Sequence, residues 1–443
     1  MDVSKKSINF TLIMMNRITI LLLLSFLIFL SSCEKMTDEQ VPDISISSPY
    51  NNQQINGNDT IFITGTVSDN KVIRSISISL RNSNDIPVLP TISFAPNEKS
   101  FSFNEPYFFN DLHMPSGQYY FSIQANDGNN TTSKYINISY GEIPKTRTGV
   151  FFYDNSGNST SIYQLNGNSA NLFKTVNSDF LGGAANSYGQ QLITVGKYTA
   201  KIMAYDIATG NLVWNTAYPN SSVPYYTNVF FHNKELYVGI RNGEIRAYNS
   251  NGSPTYFSNV QTSYYPENGL VHDNVFISEE KAIGNNTRFI TAYWTNSGTI
   301  IHQLQLTEDV IDIFAFGPNK AILLANDYTT NDGKIQIYDA QFNSKSTPFG
   351  LSAGTIIDAE EISTGVYLIA QNGNLVLVNA NTHSTLPYLN GISTNKIKYD
   401  AFSNELYIID GNTITAYDFS SKSVLFSYTH TLPVLDLVFL FNK

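Results

Sequence analysis

One motif recurs seven times in the C-terminal part of the chain, and its spacing constrains the fold more than any other feature. Each copy has a β-forming run, a turn, and a second β run that ends in an aromatic residue before a polar turn. Six copies have Tyr at the same point, and the sixth copy in order has Val378. Consecutive positions lie 42, 43, 45, 45, 40 and 39 residues apart in the set Tyr163, Tyr205, Tyr248, Tyr293, Tyr338, Val378 and Tyr417.

A period near 42 residues with only β patterning is typical of a β-propeller, whose repeat is a four-stranded sheet. Candidate innermost strands lie near 180–187, 225–231, 267–273, 310–316, 356–362, 395–401 and 434–441. No strand follows the last of these runs, and the first repeat, which starts at Gly149, has no innermost strand before it. We therefore predict an all-β, seven-bladed propeller over 148–443 that is closed by the C-terminal strand. An open solenoid of diverged repeats is the alternative.

The second repeat carries a more specific signature. Its run Ala204-Tyr205-Asp206-Ile207-Ala208-Thr209-Gly210-Asn211-Leu212-Val213-Trp214 resembles the repeat of quinoprotein-like propellers, which are WD40-like in architecture. The resemblance implies a fold and not a chemistry. Quinone-dependent dehydrogenases of this kind have eight blades and a vicinal Cys pair. No Cys occurs in residues 148–443, so we expect no quinone and no other cofactor.

Residues 42–141 alternate apolar and polar residues in short runs, which predicts a small β-sandwich. The stretch from Pro115 to Gly128 resembles the penultimate strand of bacterial immunoglobulin-like domains. In that family a Tyr just inside the strand forms a tyrosine corner, and the domain acts as a spacer or adhesive module. Asp69 and Asp127 either belong to a Ca²⁺ site, as in cadherin-like sandwiches, or simply stabilise turns.

The N-terminus has the features of a targeting signal. Residues 18–30 are apolar and follow Arg17, and this run is too short for a typical membrane-spanning helix. The sequence Leu30-Ser31-Ser32-Cys33 resembles the bacterial lipobox, whose Cys receives the lipid. Cys33 is also the sole Cys, which excludes an intramolecular disulfide. We predict a signal peptide over 1–32, lipidation of Cys33 and a tether over 33–41.

The tether is polar and charged over 34–40. It resembles the surface-export tether of Bacteroidetes lipoproteins, although a plain spacer has the same composition. This resemblance implies an outer-membrane lipoprotein of the cell envelope, exposed at the cell surface and held to the membrane through Cys33.

Composition and motifs argue against several function classes. The formal charge of −10 argues against nucleic-acid binding, which requires clustered Lys and Arg. The six His residues have no metal-ligand spacing, and no phosphate loop or nucleophile elbow is present. We therefore predict no catalytic residue and no metal site. Asp312, Asp358 and Asp436 recur in innermost strands, where they either face the central channel, towards a cation or water, or make a hydrogen bond repeated between blades.

Tyrosines occur in loops that lead from an outermost strand to the next innermost strand. Propellers usually bind ligands at these loops. Tyr is enriched in binding surfaces because it offers area and a hydroxyl at low entropic cost. Packing of the same side chains between blades is the alternative. The candidate ligand-binding residues are Tyr218, Tyr225, Tyr226, Tyr264 and Tyr265.

These features favour a non-catalytic binding or scaffolding role at the cell envelope, with the propeller recognising a protein or glycan partner. One alternative is an enzyme acting on polysaccharide, with paired carboxylates in the mouth of the channel. The other is an outer-membrane assembly factor, similar to the propeller lipoproteins that help to insert outer-membrane proteins. Those lipoproteins have eight blades and lack a sandwich, which counts against this alternative.

Overall fold

The computed structural model describes residues 40–443. The predicted signal peptide, Cys33 and most of the predicted tether lie outside the described residues. The chain divides after Pro144 into two compact units, and both are built from strands. Over residues 40–443 there is no helix of the length and apolarity needed to span a membrane.

The first unit is a two-sheet sandwich. One sheet has the order β1-β3-β6 and the other has the order β2-β8-β7-β4-β5. Pairing is antiparallel except between β2 and β8. The strands are β1 (Asp43–Ser48), β2 (Gln53–Asn56), β3 (Thr60–Ile73), β4 (Ser75–Arg81), β5 (Ile92–Phe94), β6 (Glu98–Phe108), β7 (Gly117–Asn126) and β8 (Thr131–Gly141).

Alternation along these strands builds the core of the sandwich. Ile63 and Val67 of β3 and Phe121 of β7 are fully buried, while their neighbours along the strand are more exposed. Tyr119, at the start of β7, donates its hydroxyl hydrogen to the Pro115 carbonyl at 2.9 Å. This bond is the tyrosine corner that the resemblance to immunoglobulin-like domains predicts.

The two candidate calcium ligands of the sandwich stabilise turns. The Asp127 carboxylate accepts hydrogen bonds from the amides of Asn129 and Asn130, both at 2.6 Å. Asp69 accepts a hydrogen bond from the Lys71 amide at 2.7 Å. Such bonds to amides two or three residues ahead are typical of Asx turns. This geometry favours the turn interpretation over a Ca²⁺ site.

The second unit contains seven four-stranded antiparallel sheets within the described residues, and each is called a blade here. Blade one has the order β36-β9-β10-β11 from the inside outwards, so the last strand of the chain is its innermost strand. Its strands are β9 (Arg147–Ser156), β10 (Ser159–Asn166), β11 (Ser169–Val176) and β36 (Asp436–Phe441).

The other six blades are each formed by four consecutive strands, innermost first. Blades two to four contain β12 (Gly182–Asn186), β13 (Gln191–Val195), β14 (Lys201–Asp206), β15 (Leu212–Ala217), β16 (Tyr226–His232), β17 (Glu235–Ile240), β18 (Glu244–Tyr248), β19 (Pro254–Asn259), β20 (Tyr264–His272), β21 (Val275–Ala282), β22 (Arg288–Trp294) and β23 (Ile300–Leu306). Blades five to seven contain β24 (Glu308–Ala315), β25 (Lys320–Asp327), β26 (Gly333–Asp339), β27 (Ser344–Lys345), β28 (Ile356–Ser363), β29 (Val366–Gln371), β30 (Asn374–Asn379), β31 (Ser384–Asn390), β32 (Lys396–Asp400), β33 (Glu405–Asp410), β34 (Thr413–Asp418) and β35 (Val424–Thr429).

The recurrent aromatic position of the sequence motif belongs to the core of the propeller. Tyr293, Tyr338 and Val378 are fully buried, and Tyr205 and Tyr248 are buried to more than nine tenths. The two remaining positions, Tyr163 and Tyr417, are half-buried. A large side chain at this point fills the space between blades. The aromatic residue that reveals the repeat is therefore a packing residue.

Chain direction gives the propeller two distinct faces. The chain enters β9 at Arg147, which pairs with Phe441 at the end of β36. The Phe441 amide also donates to Ser187 Oγ, in the loop between β12 and β13, at 3.0 Å. We call this side the proximal face. The distal face carries the loops from each outermost strand to the next innermost strand, together with the loops between second and third strands.

The ring closes where blade seven meets blade one, and polar contacts secure this seam from end to end. Arg147 forms ion pairs with Asp400 at 2.8 Å and with Glu405 at 2.7 Å, near the proximal face. Towards the distal face, His430 Nε2 lies 2.7 Å from Asp154 Oδ2. A buried apolar cluster lies between these contacts and includes Val150, Phe152, Tyr407, Ile409 and Leu437.

We expect Leu437→Ala to destabilise the propeller by about 2–5 kcal/mol, because it leaves a cavity in the seam cluster. Leu437 is fully buried, whereas the nearby Leu435 is 41% exposed. Leu435→Ala is therefore the matched control and should cost much less. Deletion of residues 434–443 should abolish cooperative unfolding of the propeller, since blade one loses its innermost strand. Chemical denaturation followed by circular dichroism measures both effects. Equal destabilisation by the two Ala variants would contradict the role of the seam.

Candidate functional site

A groove of about 330 Å³ lies on the distal face, at blade three. Val223, Pro224 and Tyr225 line it from the loop that leads into β16, and Arg241 and Asn242 line it from the loop between β17 and β18. The two loops are joined by a hydrogen bond from the Arg241 amide to the Tyr225 carbonyl at 2.9 Å. The groove is therefore held by backbone contacts and is not a gap between independent loops.

The five candidate tyrosines do not share one environment. Tyr225 lines the groove, and Tyr218 stacks on it with ring centroids 5.1 Å apart. Tyr264 is half-buried, with its ring edge-on to Phe289. Tyr226 is fully buried and Tyr265 is 7% exposed. Tyr226 and Tyr265 therefore do not belong to the predicted ligand surface, because their rings pack inside the propeller.

Tyrosine and arginine side chains form a connected layer around the groove. Arg246 donates to the Tyr218 hydroxyl at 2.6 Å and forms an ion pair with Glu244 at 2.5 Å. Burial raises the pKa of Tyr225 to about 12, so its hydroxyl is a protonated donor at neutral pH.

Arg241 is a further functional candidate, which the sequence indicates only as part of a turn. Its guanidinium lies 4.7 Å from the centroid of the Tyr265 ring, a cation–π contact. Within residues 40–443 Arg241 has no ion-pair partner. Its charge is therefore available to an acidic or carbonyl group of a ligand. An Arg in a loop of the distal face is the signal that could have identified it.

A second cavity, of about 530 Å³, lies in the central channel of the propeller. Its walls come from the innermost strands of the blades. The charged residues of its lining are Asp312, Asp358, Glu360, Lys396, Lys398 and Asp436. The aspartates that recur in the innermost strands thus do line the channel.

β-Bulges place polar residues at one level of this channel in four consecutive blades. In each of β16, β20, β24 and β28 the pairing with the second strand skips one residue directly before a polar side chain. An extra residue in a strand re-aims the side chain that follows it. The polar side chains after the bulges are Asn228, Asn268, Asp312 and Asp358.

Several hydrogen bonds of this level link neighbouring blades. Asp436 accepts from the Gly183 amide at 3.2 Å, and Asp358 accepts from the Ile397 amide at 2.7 Å. These bonds support the interpretation of a contact repeated between blades. Asp312 instead accepts from the Ile313 amide of its own strand at 2.8 Å.

The channel carboxylates form two groups: those paired with a lysine of blade seven and those without such a partner. Lys396 Nζ lies 2.7 Å from Asp436 Oδ1, and Lys398 forms an ion pair with Glu360. Burial opposes ionisation of Asp436, but Lys396 and Lys398 outweigh it and lower the pKa. Asp312 and Asp358 have no ion-pair partner within the described chain.

Burial raises the pKa of Asp312 to about 7, and repulsion from Asp358 adds to the effect. Burial also raises the pKa of Asp358 to about 6, although Lys398 and Lys396 oppose the shift. Both carboxyls line the channel cavity, and protein surrounds their other sides. The unpaired carboxylates are therefore costly to ionise at neutral pH.

One group of carboxylates in the described residues has ligand atoms close enough together for a metal ion. It consists of Glu267, Glu279 and Asp309, with ligand atoms within 4.8 Å of one another. The Arg288 guanidinium forms ion pairs with all three, at 2.7 Å to Glu279 and 2.6 Å to Asp309. This cluster is a partly buried ion-pair network in which the arginine occupies the position that a cation would take.

Comparisons with known proteins bear on the architecture. Residues 42–133 match the bacterial Ig domain family. The chain has an immunoglobulin-like domain followed by a β-propeller. No curated protein matches the chain.

Several solved structures are similar to this chain at low sequence identity. A quinoprotein alcohol dehydrogenase-like protein from Bacteroides thetaiotaomicron VPI-5482 is 13% identical, with a TM-score of 0.47 over 92% of this chain and 100% of that chain. Apo AztD from Citrobacter koseri is 10% identical, with a TM-score of 0.45 over 67% and 98%. BamB from Moraxella catarrhalis is 14% identical, with a TM-score of 0.38 over 57% and 76%. These likenesses concern the fold and assign no chemistry.

The channel carboxyls make stability depend on pH in a defined direction. An unfolded Asp titrates near about pH 3.9. The pKa values of Asp312 and Asp358 are raised to about 7 and about 6, so the folded state binds more protons between those values and the unfolded one. The free energy of unfolding should therefore fall as pH rises from about 4 to about 7.

Asp312→Asn mimics the protonated carboxyl and should reduce this fall, which melting temperatures measured across the same pH window would show. The control is Asp410→Asn, at an exposed position. An unchanged pH slope in Asp312→Asn would rule out the proton binding assigned to Asp312.

Proposed function

We propose that this protein is a non-catalytic lipoprotein of the cell envelope whose propeller binds a protein or glycan partner through its distal face. The observation that carries the proposal is the groove at Tyr225 and Arg241. It combines an aromatic ring, an unpaired guanidinium and the apolar surface of Val223, which is 49% exposed. Aromatic residues and Arg are the side chains enriched in energetically important contacts.

The position of the groove supports a recognition role. The chain enters the propeller on the proximal face, at Arg147. The groove lies on the opposite face, away from that connection.

The channel chemistry favours binding over polysaccharide hydrolysis. A glycosidase needs a pair of carboxyl groups that flank the scissile bond of its substrate. In the channel Asp436 and Glu360 are each paired with a lysine, and Asp358 accepts a backbone hydrogen bond from the next blade. We therefore propose a binding protein in preference to an enzyme.

The distal-face proposal is tested by a pull-down from envelope extract together with a glycan array, using soluble 34–443. Tyr225→Ala and Arg241→Ala should each weaken binding by about tenfold or more, because they remove the aromatic and cationic contacts of the groove. Tyr188→Ala is the matched control, since Tyr188 lies on the proximal face and is 40% exposed. A partner that binds all variants equally would exclude this groove as the binding site.

The anchoring proposal predicts that Cys33→Ser leaves the protein without its lipid. The wild-type chain should incorporate a radiolabelled fatty acid and sediment with membranes, because several acyl chains on one residue hold a protein at a bilayer. The Ser variant should incorporate no label and appear in the soluble fraction. Equal labelling of both proteins would exclude Cys33 as the lipidation site.

A further inference from the structure

The cavity in the central channel has the dimensions of a small-molecule site. Its volume is about 530 Å³, within the roughly 300–1,000 Å³ usual for ligand pockets. It is separate from the groove at Tyr225 and Arg241, which lies among the loops of the distal face. A ligand of the channel would therefore be distinct from the partner proposed above.

The cavity lining has more carboxylates than lysines, and a cationic ligand would balance the excess negative charge. Two carboxylates are neutralised by lysines, in the pairs Lys396–Asp436 and Lys398–Glu360. Asp312 and Asp358 also line the cavity, and no described cation forms an ion pair with either. When both are ionised the cavity lacks positive charge, and desolvation makes unpaired buried anions unfavourable.

Polar groups without partners also line this cavity. The side-chain amide of Asn228 forms no hydrogen bond with another residue in the described part of the chain, and Asn228 lines the cavity. Asp312 Oδ1 accepts the Ile313 amide, while Oδ2 has no hydrogen-bond donor among residues 40–443. The Asn228 side-chain amide and Asp312 Oδ2 are both open to the cavity, so both are available to a bound molecule.

The spacing of the carboxylates argues against a bare metal ion. A divalent cation such as Ca²⁺ requires six or more oxygen ligands at short range. The channel carboxylates are not part of the one described cluster whose ligand atoms lie within 4.8 Å of one another. Asp312 and Asp358 also stand on different blades, which suits a larger cation with its own hydrogen-bond donors.

We propose that the central channel binds a small, hydrophilic organic amine, with its ammonium group held by Asp312 and Asp358 and its polar remainder at Asn228. An ammonium group supplies the missing charge and three hydrogen-bond donors. Lys396 and Lys398, on the neighbouring blade seven, also act on Asp358, but each is already held in an ion pair with another carboxylate. The cavity lining therefore keeps a net negative charge that attracts a cation. The polar lining of the level favours a hydroxylated or short-chain amine over an apolar one.

Isothermal titration calorimetry with ethanolamine and 1,4-diaminobutane tests the proposal, with ethylene glycol and 1,4-butanediol as uncharged controls. The amines should bind saturably and the diols should not. Affinity should rise from about pH 5 to about pH 8 as Asp312 and Asp358 ionise while the amines stay protonated. The other charged groups that face the two carboxyls, namely Glu360, Lys396 and Lys398, are already held in ion pairs.

Asp312→Asn and Asp358→Asn should each lower the affinity for the amine by about tenfold or more, because each removes a charge from the site. Both substitutions keep the side-chain shape and a carbonyl acceptor, and melting curves check that the variants fold. Asp410→Asn is the control and should bind as the wild type does. Equal binding of amines and diols, tighter binding of CaCl₂ than of either amine, or unchanged affinity in both channel variants would overturn the proposal. If neither amine binds at about 10 mM, the proposal is overturned as well.

Discussion

Pairing of the last strand of the chain with β9 is the interaction on which the propeller depends. Without β36, blade one has three strands, and the inner edge of β9 is left with unpaired backbone groups that promote aggregation. The seam is therefore reinforced by ion pairs, by the His430–Asp154 contact and by a buried apolar cluster. The channel also depends on closure, because Asp436 belongs to the strand that completes the ring and is the partner of Lys396.

The same closure gives the propeller two different faces. It brings Arg147 and Phe441 to the proximal face, where the chain enters the propeller. The distal face is left to the loops between blades, and its groove is lined by Tyr225 and Arg241. A ring of rigid sheets that carries variable loops is a common way to position binding residues. In this protein the loops supply the outer groove and the innermost strands supply the channel.

The fold could be predicted largely from the sequence, whereas the site could be predicted only in part. The repeat is visible because a packing residue, such as Tyr293 or Tyr338, recurs at a fixed distance. The sequence does not show that Tyr225 and Tyr226 have different environments. Neighbouring side chains in extended backbone point to opposite sides, so one ring faces the groove while the next is buried. Arg241 was not predicted as a site residue because only folding brings its loop against the loop of Tyr225.

The channel shows the same division. The repeated aspartates identify its wall, but a bulge cannot be read from one sequence, and the lysines of blade seven have no counterpart in the other repeats. Site-specific photo-crosslinking in intact cells tests the central claim, that the distal face meets the partner, most directly. A photoreactive residue at Val223, on the distal face, should give a discrete adduct, and one at Tyr188, on the proximal face, should not. An adduct formed at Tyr188 and absent at Val223 would contradict recognition by the distal face.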